Sequence, residues 1–192
     1  MTNIGITTLR VDPNRWLALA VDEKDSRLVA CTANKTEKEA VLNLKGALRR
    51  LKRLPELDET VQSSQISQVA QKLSLLIRGE EHPFAFQEIS MIGWSKSRIA
   101  ISRHLMQVPK GKVISYGALA KLANSSPRGV GSVMRTNPVP WAVPCHRVIH
   151  SDGRLGKLGG TVAGTKEKGR ILRAEGVPFN ANGRVNEKAM LL

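Results

Sequence analysis

The chain has 192 residues, with 30 lysines and arginines against 16 aspartates and glutamates, a formal net charge of +14 and two cysteines. That length supports one large domain or two small ones without covalent staples, and two cysteines exclude a disulfide scaffold. No apolar run approaches the ~20 residues of a membrane span, and no signal-peptide pattern is present, so a soluble protein is expected, cytoplasmic, or nuclear in a eukaryotic host.

From the N-terminus, WLALAV (16–21) and RLVACTA (27–33), separated by the polar turn DEKDS, read as a β-hairpin. Two helices follow. One is expected over 37–54, with Val41, Leu44, Leu48 and Leu51 on one stripe, and the other over 60–77, with Ile66, Val69, Leu73, Leu76 and Ile77. Nothing in this part points to chemistry. Cys31 reads as an inward strand residue, because only His82 is offered as a partner where a closed zinc site needs four ligands. No metal or cofactor is expected.

The charge is unevenly placed. Residues 1–88 carry 13 basic and 12 acidic side chains, whereas residues 89–192 carry 17 and 4. Between Glu88 and Asp152 there is no acid, but nine bases occur. This is the footprint of a polyanion-binding surface; the alternative, an inert solvated face, usually intersperses both signs.

After a boundary near residue 90, a helix from about Ser95 places Trp94, Ile101, Leu105 and Val108 at helical spacings before Pro109 and Gly111 stop it. Ser115 can then cap a helix over 116–123, and Ser126 a second one with Pro127 at its first position. Two short helices joined by a tight polar turn in a basic domain fit a helix-turn-helix, expected at about 115–135. The second helix presents Gly129, Gly131 and Ser132 where a sequence-reading helix carries Asn, Gln or Arg. It can approach a groove closely but has little with which to read bases. The alternative is that the glycines only permit helix packing.

The stretch NPVPWAVPCHRVIHSDG (137–153) sets Cys145 between a proline and His146. Such a thiol could be core packing, half of a hydrolase dyad, a metal ligand or a nucleophile used once. Pro138, Pro140 and Pro144 fix the backbone, and the cationic Arg147 is expected to shift the thiol toward its thiolate. His146 could take the thiol proton, directly or through a water, if a carboxylate held its tautomer. Glu175 stands out among the few acids. It ends a helix expected over 166–175 that Gly176 terminates, with Ile171 and Leu172 facing the core. A carboxylate at a helix C-terminus is electrostatically misplaced, which hints at another purpose.

These residues carry a resemblance. NPVPWAVPCHRVIHSDGRLG, preceded by VPKGKVISYGALAKLA and SSPRGVGSVMRTNP and followed by KEKGRILRAEG, resembles the active-site domain of the O6-alkylguanine-DNA alkyltransferases over roughly residues 105–177. The resemblance implies that Cys145 accepts the alkyl group, that His146 activates it through a water, that Glu175 orients His146 and that Asn137 braces the network. Tyr116 would turn the 3′ phosphate and help protonate the leaving guanine. Arg128 would enter the base stack as the damaged nucleotide swings out. The pocket would be completed by Met134, Pro140, the carbonyls of Cys145 and Val148, and the 155–160 loop with Gly156, Leu158, Gly159 and Gly160. Ser115, Tyr116, Lys121, Arg128, Gly129, Gly131, Ser132, Arg135 and Ser151 would face DNA. Where the family often has an aromatic residue in the pocket loop this chain has Leu158, and GGTVAGTKEKG is longer than usual.

The implied partner is double-stranded DNA containing O6-alkylguanine, bound with little sequence preference by a monomer that needs no cofactor and touches no membrane. Transfer restores guanine, and because a thioether has no ready leaving group each molecule acts once. The expected fold class is α/β (α+β): a small mixed α/β scaffold over 1–90, then a mainly helical, winged helix-turn-helix-like domain over 91–192 with the active-site stretch at 137–160. Rival readings are a silent alkylguanine-binding protein, a cysteine hydrolase and a winged-helix transcription factor with an incidental thiol.

Overall fold

The computed structural model describes residues 4–51, 57–58, 64–80, 83–158 and 162–191. The fold is mixed α/β, as expected, and divides into two units: residues 1–94 with 138–142, and residues 95–137 with 143–192.

In the first unit, β1 (Ile4–Asp12), β2 (Arg15–Asp22) and β3 (Arg27–Asn34) form an antiparallel meander, and β4 (Leu57–Asp58) adds in parallel, giving the order β3-β2-β1-β4. The expected hairpin is β2 and β3. Its apolar run in β2 is continuous rather than alternating because the strand is interior, with Leu17 to Val21 all fully buried.

Helix α1 (Glu37–Arg49) starts at Thr36, whose hydroxyl accepts from the Glu39 amide. It ends before the expected limit, and residues 52–54 lie outside those described. Helix α2 (Ser64–Ile77) buries Ile66, Ala70, Leu73 and Ser74. Its core stripe is therefore rotated from the expected one, with Val69, Leu76 and Ile77 only half-buried. Its expected start at residue 60 also lies outside the described residues.

The outer edge of β3 is covered within the same unit. Ser90 donates its amide to the Leu28 carbonyl, and Ile89 bridges Leu28 in parallel. Farther along, the Cys31 amide donates to the Pro138 carbonyl at 2.8 Å and the Cys31 thiol reaches the Pro140 carbonyl at 3.3 Å. Covering an edge strand in this way removes unpaired backbone groups.

The second unit contains α3 (Lys96–Leu105), β5 (Val113–Ser115), α4 (Tyr116–Leu122), α5 (Pro127–Arg135), β6 (Val148–Ile149), α6 (Val162–Ala174) and β7 (Met190–Leu191). The order in its small parallel sheet is β6-β5-β7. Ser95 caps α3, which is shorter than expected: Trp94 precedes it and Val108 follows it, both buried. Val113, Ile149, Leu172, Val177, Val185 and Ala189 form a core cluster. Among the described residues no helix is long and apolar enough to cross a membrane.

Candidate active site

Two capped helices form the expected helix-turn-helix. The Ser115 hydroxyl accepts from the Ala118 amide to start α4, the Ser126 hydroxyl accepts from the Gly129 amide to start α5, and Pro127 takes the first helical position. Val130, Val133 and Met134 turn inward, while Arg128, Ser132 and Arg135 stand on the exposed face. The two glycines separate in role. A Cβ at Gly129 would meet the Ser125 hydroxyl at 2.8 Å, so its lack of a side chain serves the tight turn, whereas Gly131 faces open space. Lys121 and Ser151 are exposed, and Ser115 is buried with its hydroxyl spent on the cap.

Cys145 opens a 3-10 turn, Cys145–Arg147, and both Cys145 and His146 are buried. Asn137 closes the base of the proline-rich loop by donating Nδ2 to the Val143 carbonyl at 2.9 Å. Its side chain also hydrogen-bonds the Cys145 sulfur. Pro140 lies in the first unit.

Tertiary packing supplies the partner of His146. His146 Nε2 lies 2.9 Å from Glu175 Oε1. Glu175 sits at the C-cap of α6, where Gly176 (φ +82) donates to Arg173 and Val177 donates to Leu172, a Schellman closure whose apolar contact, Leu172 with Val177, belongs to the core cluster. Leu172 is fully buried as expected; Ile171 is only half-buried.

Arg147 does not face the thiol. Its guanidinium donates Nη2 and Nε to Glu175 at 2.8 and 3.0 Å and Nη1 to the Val108 carbonyl at 2.7 Å. Burial raises the Glu175 pKa, but the bonds from His146 and Arg147 outweigh it and hold the carboxyl down at about 2. An ionised carboxylate only accepts, so His146 Nε2 carries the hydrogen and Nδ1 is left with the free lone pair. Burial also lowers the His146 pKa against the pull of Glu175, so the imidazole rests neutral and able to take a proton.

The expectation that Arg147 shifts the thiol toward thiolate is overturned. Burial pushes the Cys145 pKa up; the Asn137 hydrogen bond and the charge of Lys168 oppose this without overcoming it. The resting group is a thiol, and a base must take its proton during reaction.

Lys168 is the cation that the sequence reading missed. It is 1% exposed, donates Nζ to the Val148 carbonyl and sits 6.0 Å from the centroid of the Tyr116 ring. Burial lowers its pKa to about 8. The available signal was periodicity: Lys168 precedes the buried Leu172 by four residues and so shares its face.

Burial raises the Tyr116 pKa, with Cys145 adding to the effect. The Tyr116 ring is tilted 53° to His150 at 5.4 Å, a neighbour also missed. Gly156 passes so close that a Cβ would lie 2.6 Å from the phenol oxygen, so a side chain here would displace the Tyr116 ring. The structure thus gathers Cys145, His146, Glu175, Asn137, Tyr116, Val148 and Gly156 in one unit. Leu158 is half-buried, and Gly159 and Gly160 lie outside the described residues. Among the described residues no group of three or more His, Cys, Asp or Glu side chains could hold a metal.

Comparison with known proteins gives a consistent picture. Residues 96–177 match the family model described as 6-O-methylguanine DNA methyltransferase, DNA binding domain. A methylated-DNA–protein-cysteine methyltransferase of Thermococcus kodakarensis is 50% identical over 70 residues, 36% of this chain and 38% of the relative. A DNA base-flipping protein of Thermus thermophilus is 42% identical over 82 residues, 43% of this chain and 56% of the relative. The chain therefore spans less than two thirds of the length of either. The crystal structure of an O6-methylguanine-DNA methyltransferase from Pyrococcus kodakaraensis is similar with a TM-score of 0.69 at 28% identity, covering 91% of this chain and 99% of that one.

Proposed function

We infer that the chain belongs, through the matched residues 96–177, to the 6-O-methylguanine DNA methyltransferases, and read its function from that family. On this premise the protein binds duplex DNA, flips out an O6-alkylguanine and moves the alkyl group to Cys145, restoring guanine and ending its own activity. The observation that carries this reading is the buried Cys145 beside a neutral His146 whose Nε2 is tied to Glu175 at 2.9 Å.

The chemistry balances within this chain and its substrate. The thiol proton passes to His146, Nδ1 being the free acceptor, and Glu175 stabilises the imidazolium that forms. Sulfur bonds to the alkyl carbon while the carbon–O6 bond breaks. The departing guanine takes a proton from Tyr116, whose phenol is later reprotonated at the expense of the imidazolium. A base inside the duplex is out of reach of a buried sulfur, so flipping must precede transfer, at a cost of a few kcal/mol. Arg128, exposed at the start of α5, would fill the vacated stack.

Incubation with duplex DNA containing O6-methylguanine should add one methylene equivalent to the protein mass, on the peptide carrying Cys145. No mass change with tight lesion binding would favour the second reading, flipping without transfer, which similarity to the Thermus thermophilus base-flipping protein raises. That reading leaves the His146–Glu175 pair beside a thiol without purpose. A return to the starting mass after reaction would indicate hydrolysis instead.

A further inference from the structure

The family match ends at residue 177, yet the chain beyond it is built into the unit that carries the site. Phe179 bridges Val185 around a turn closed by Gly183 (φ +76), with Asn180 bonded to Arg184 and Asn186 to Pro178. This hairpin grips the turn after β6. The Val185 amide donates to the Gly153 carbonyl at 2.9 Å, and Arg184 donates Nη1 to the Asp152 carbonyl at 3.1 Å and pairs with its carboxylate at 3.5 Å. A Cβ on Gly153 (φ +78) would lie 2.7 Å from the Val185 carbonyl oxygen, backbone against backbone.

The same segment then reaches β5. The Val185 and Ala189 side chains are buried with Val113 and Ile149, Lys112 donates to the Lys188 carbonyl at 2.9 Å, and Met190 and Leu191 pair with Val113 and Ile114. β5 runs directly into Ser115 and Tyr116, and the gripped turn carries Ser151 beside His150, the ring neighbour of Tyr116. One continuous segment therefore ties together the two stretches that the proposed function brings to the DNA backbone.

We propose that residues 178–191 are a brace that sets the position of the 150–154 turn against the start of α4, and so governs reaction with a lesion held in duplex DNA. This role rests on the proposed function. It assigns Arg184 as a positioning residue that acts through Asp152 and Gly153, not as a phosphate contact. Asp152 is the sole acid between Glu88 and Glu167. Arg154 and Arg184 both pair with it, so its charge is neutralised within the turn.

The test uses full-length Arg184→Ala. Loosening the turn should slow single-turnover repair of O6-methylguanine in duplex DNA about tenfold, as small misplacements do, and change the rate with free O6-benzylguanine by less than about twofold. Amide exchange at Val185 should quicken, and the salt slope of duplex binding should stay put. Gly153→Ala, which pushes the turn off the hairpin, should give the same pattern. Equal losses on both substrates, or no loss on duplex despite quickened exchange, would overturn the brace. So would unchanged exchange with a salt slope reduced by about one, which marks a direct phosphate contact. If the wild type leaves both alkylguanines untouched, the proposed function fails, and the brace is then judged by Val185 exchange and affinity for undamaged duplex.

Discussion

His146 Nε2 and Glu175 Oε1, 29 residues apart in the chain, are 2.9 Å apart in space. The carboxylate settles which imidazole nitrogen carries the hydrogen, and in the proposed mechanism it would stabilise the cation that appears when the thiol gives up its proton. Glu175→Gln should slow alkyl transfer about 100-fold at a temperature where the variant is folded, the scale of a lost general base. Quenched-flow measurement with free O6-benzylguanine checks this, and an unchanged rate removes Glu175 from the network.

The same residue predicts acid sensitivity. Its folded pKa of about 2 lies below the unfolded 4.5, so its contribution to stability is complete above pH 4.5 and is lost as pH falls toward 2. The stability difference between wild type and Glu175→Gln, from denaturant melts, should shrink over that window. A constant difference would show that the ionised pair stabilises nothing.

Lys168 shifts in the same direction, in a window at higher pH. Its folded pKa of about 8 lies below the ordinary 10.5, so the unfolded chain binds more protons between these values and stability rises with pH across that window. Lys168→Met should lack this rise. Because the Lys168 charge favours the thiolate, the variant should also react more slowly with free O6-benzylguanine at pH 7; an equal or faster rate would place Lys168 outside the chemistry.

Cys145→Ser should abolish transfer and leave duplex affinity within about twofold, since a hydroxyl remains protonated at neutral pH and is a poor nucleophile at saturated carbon. Intact mass and a binding titration are the two readouts. Any alkylated serine variant would count against the assignment.

Arg128 and Lys121 are both exposed cations of the helix-turn-helix, but they separate experimentally. Arg128→Ala should slow repair in duplex DNA far more than reaction with the free base, which needs no flipping. Lys121→Ala should weaken all duplexes alike and lower the salt slope by about one. Equal losses on both substrates for Arg128→Ala would make it a support of the pocket.

Local chemistry made much of this protein legible in its sequence. The serine caps of α4 and α5, the Pro127 start and the Gly176 stop are decided within a few residues, by which side chain or backbone satisfies a helix end. The charge asymmetry and the order of motifs around Cys145 are likewise properties of the chain alone. What depends on long-range packing was not legible. The sequence placed Arg147 beside the thiol, but adjacent side chains diverge, and Arg147 turned to Glu175 while Lys168, 23 positions beyond Cys145, was buried in its place. Three basic residues in KEKGR look alike on paper, and only the closing of α6 onto Val148 decides which one loses water and titrates near 8. The residues between Asn137 and Val143 read as part of the active-site stretch, yet backbone bonds to Cys31 place 138–142 with the first unit. Hydrogen bonds to a sheet edge depend on where that edge lies in space, and no local pattern carries this.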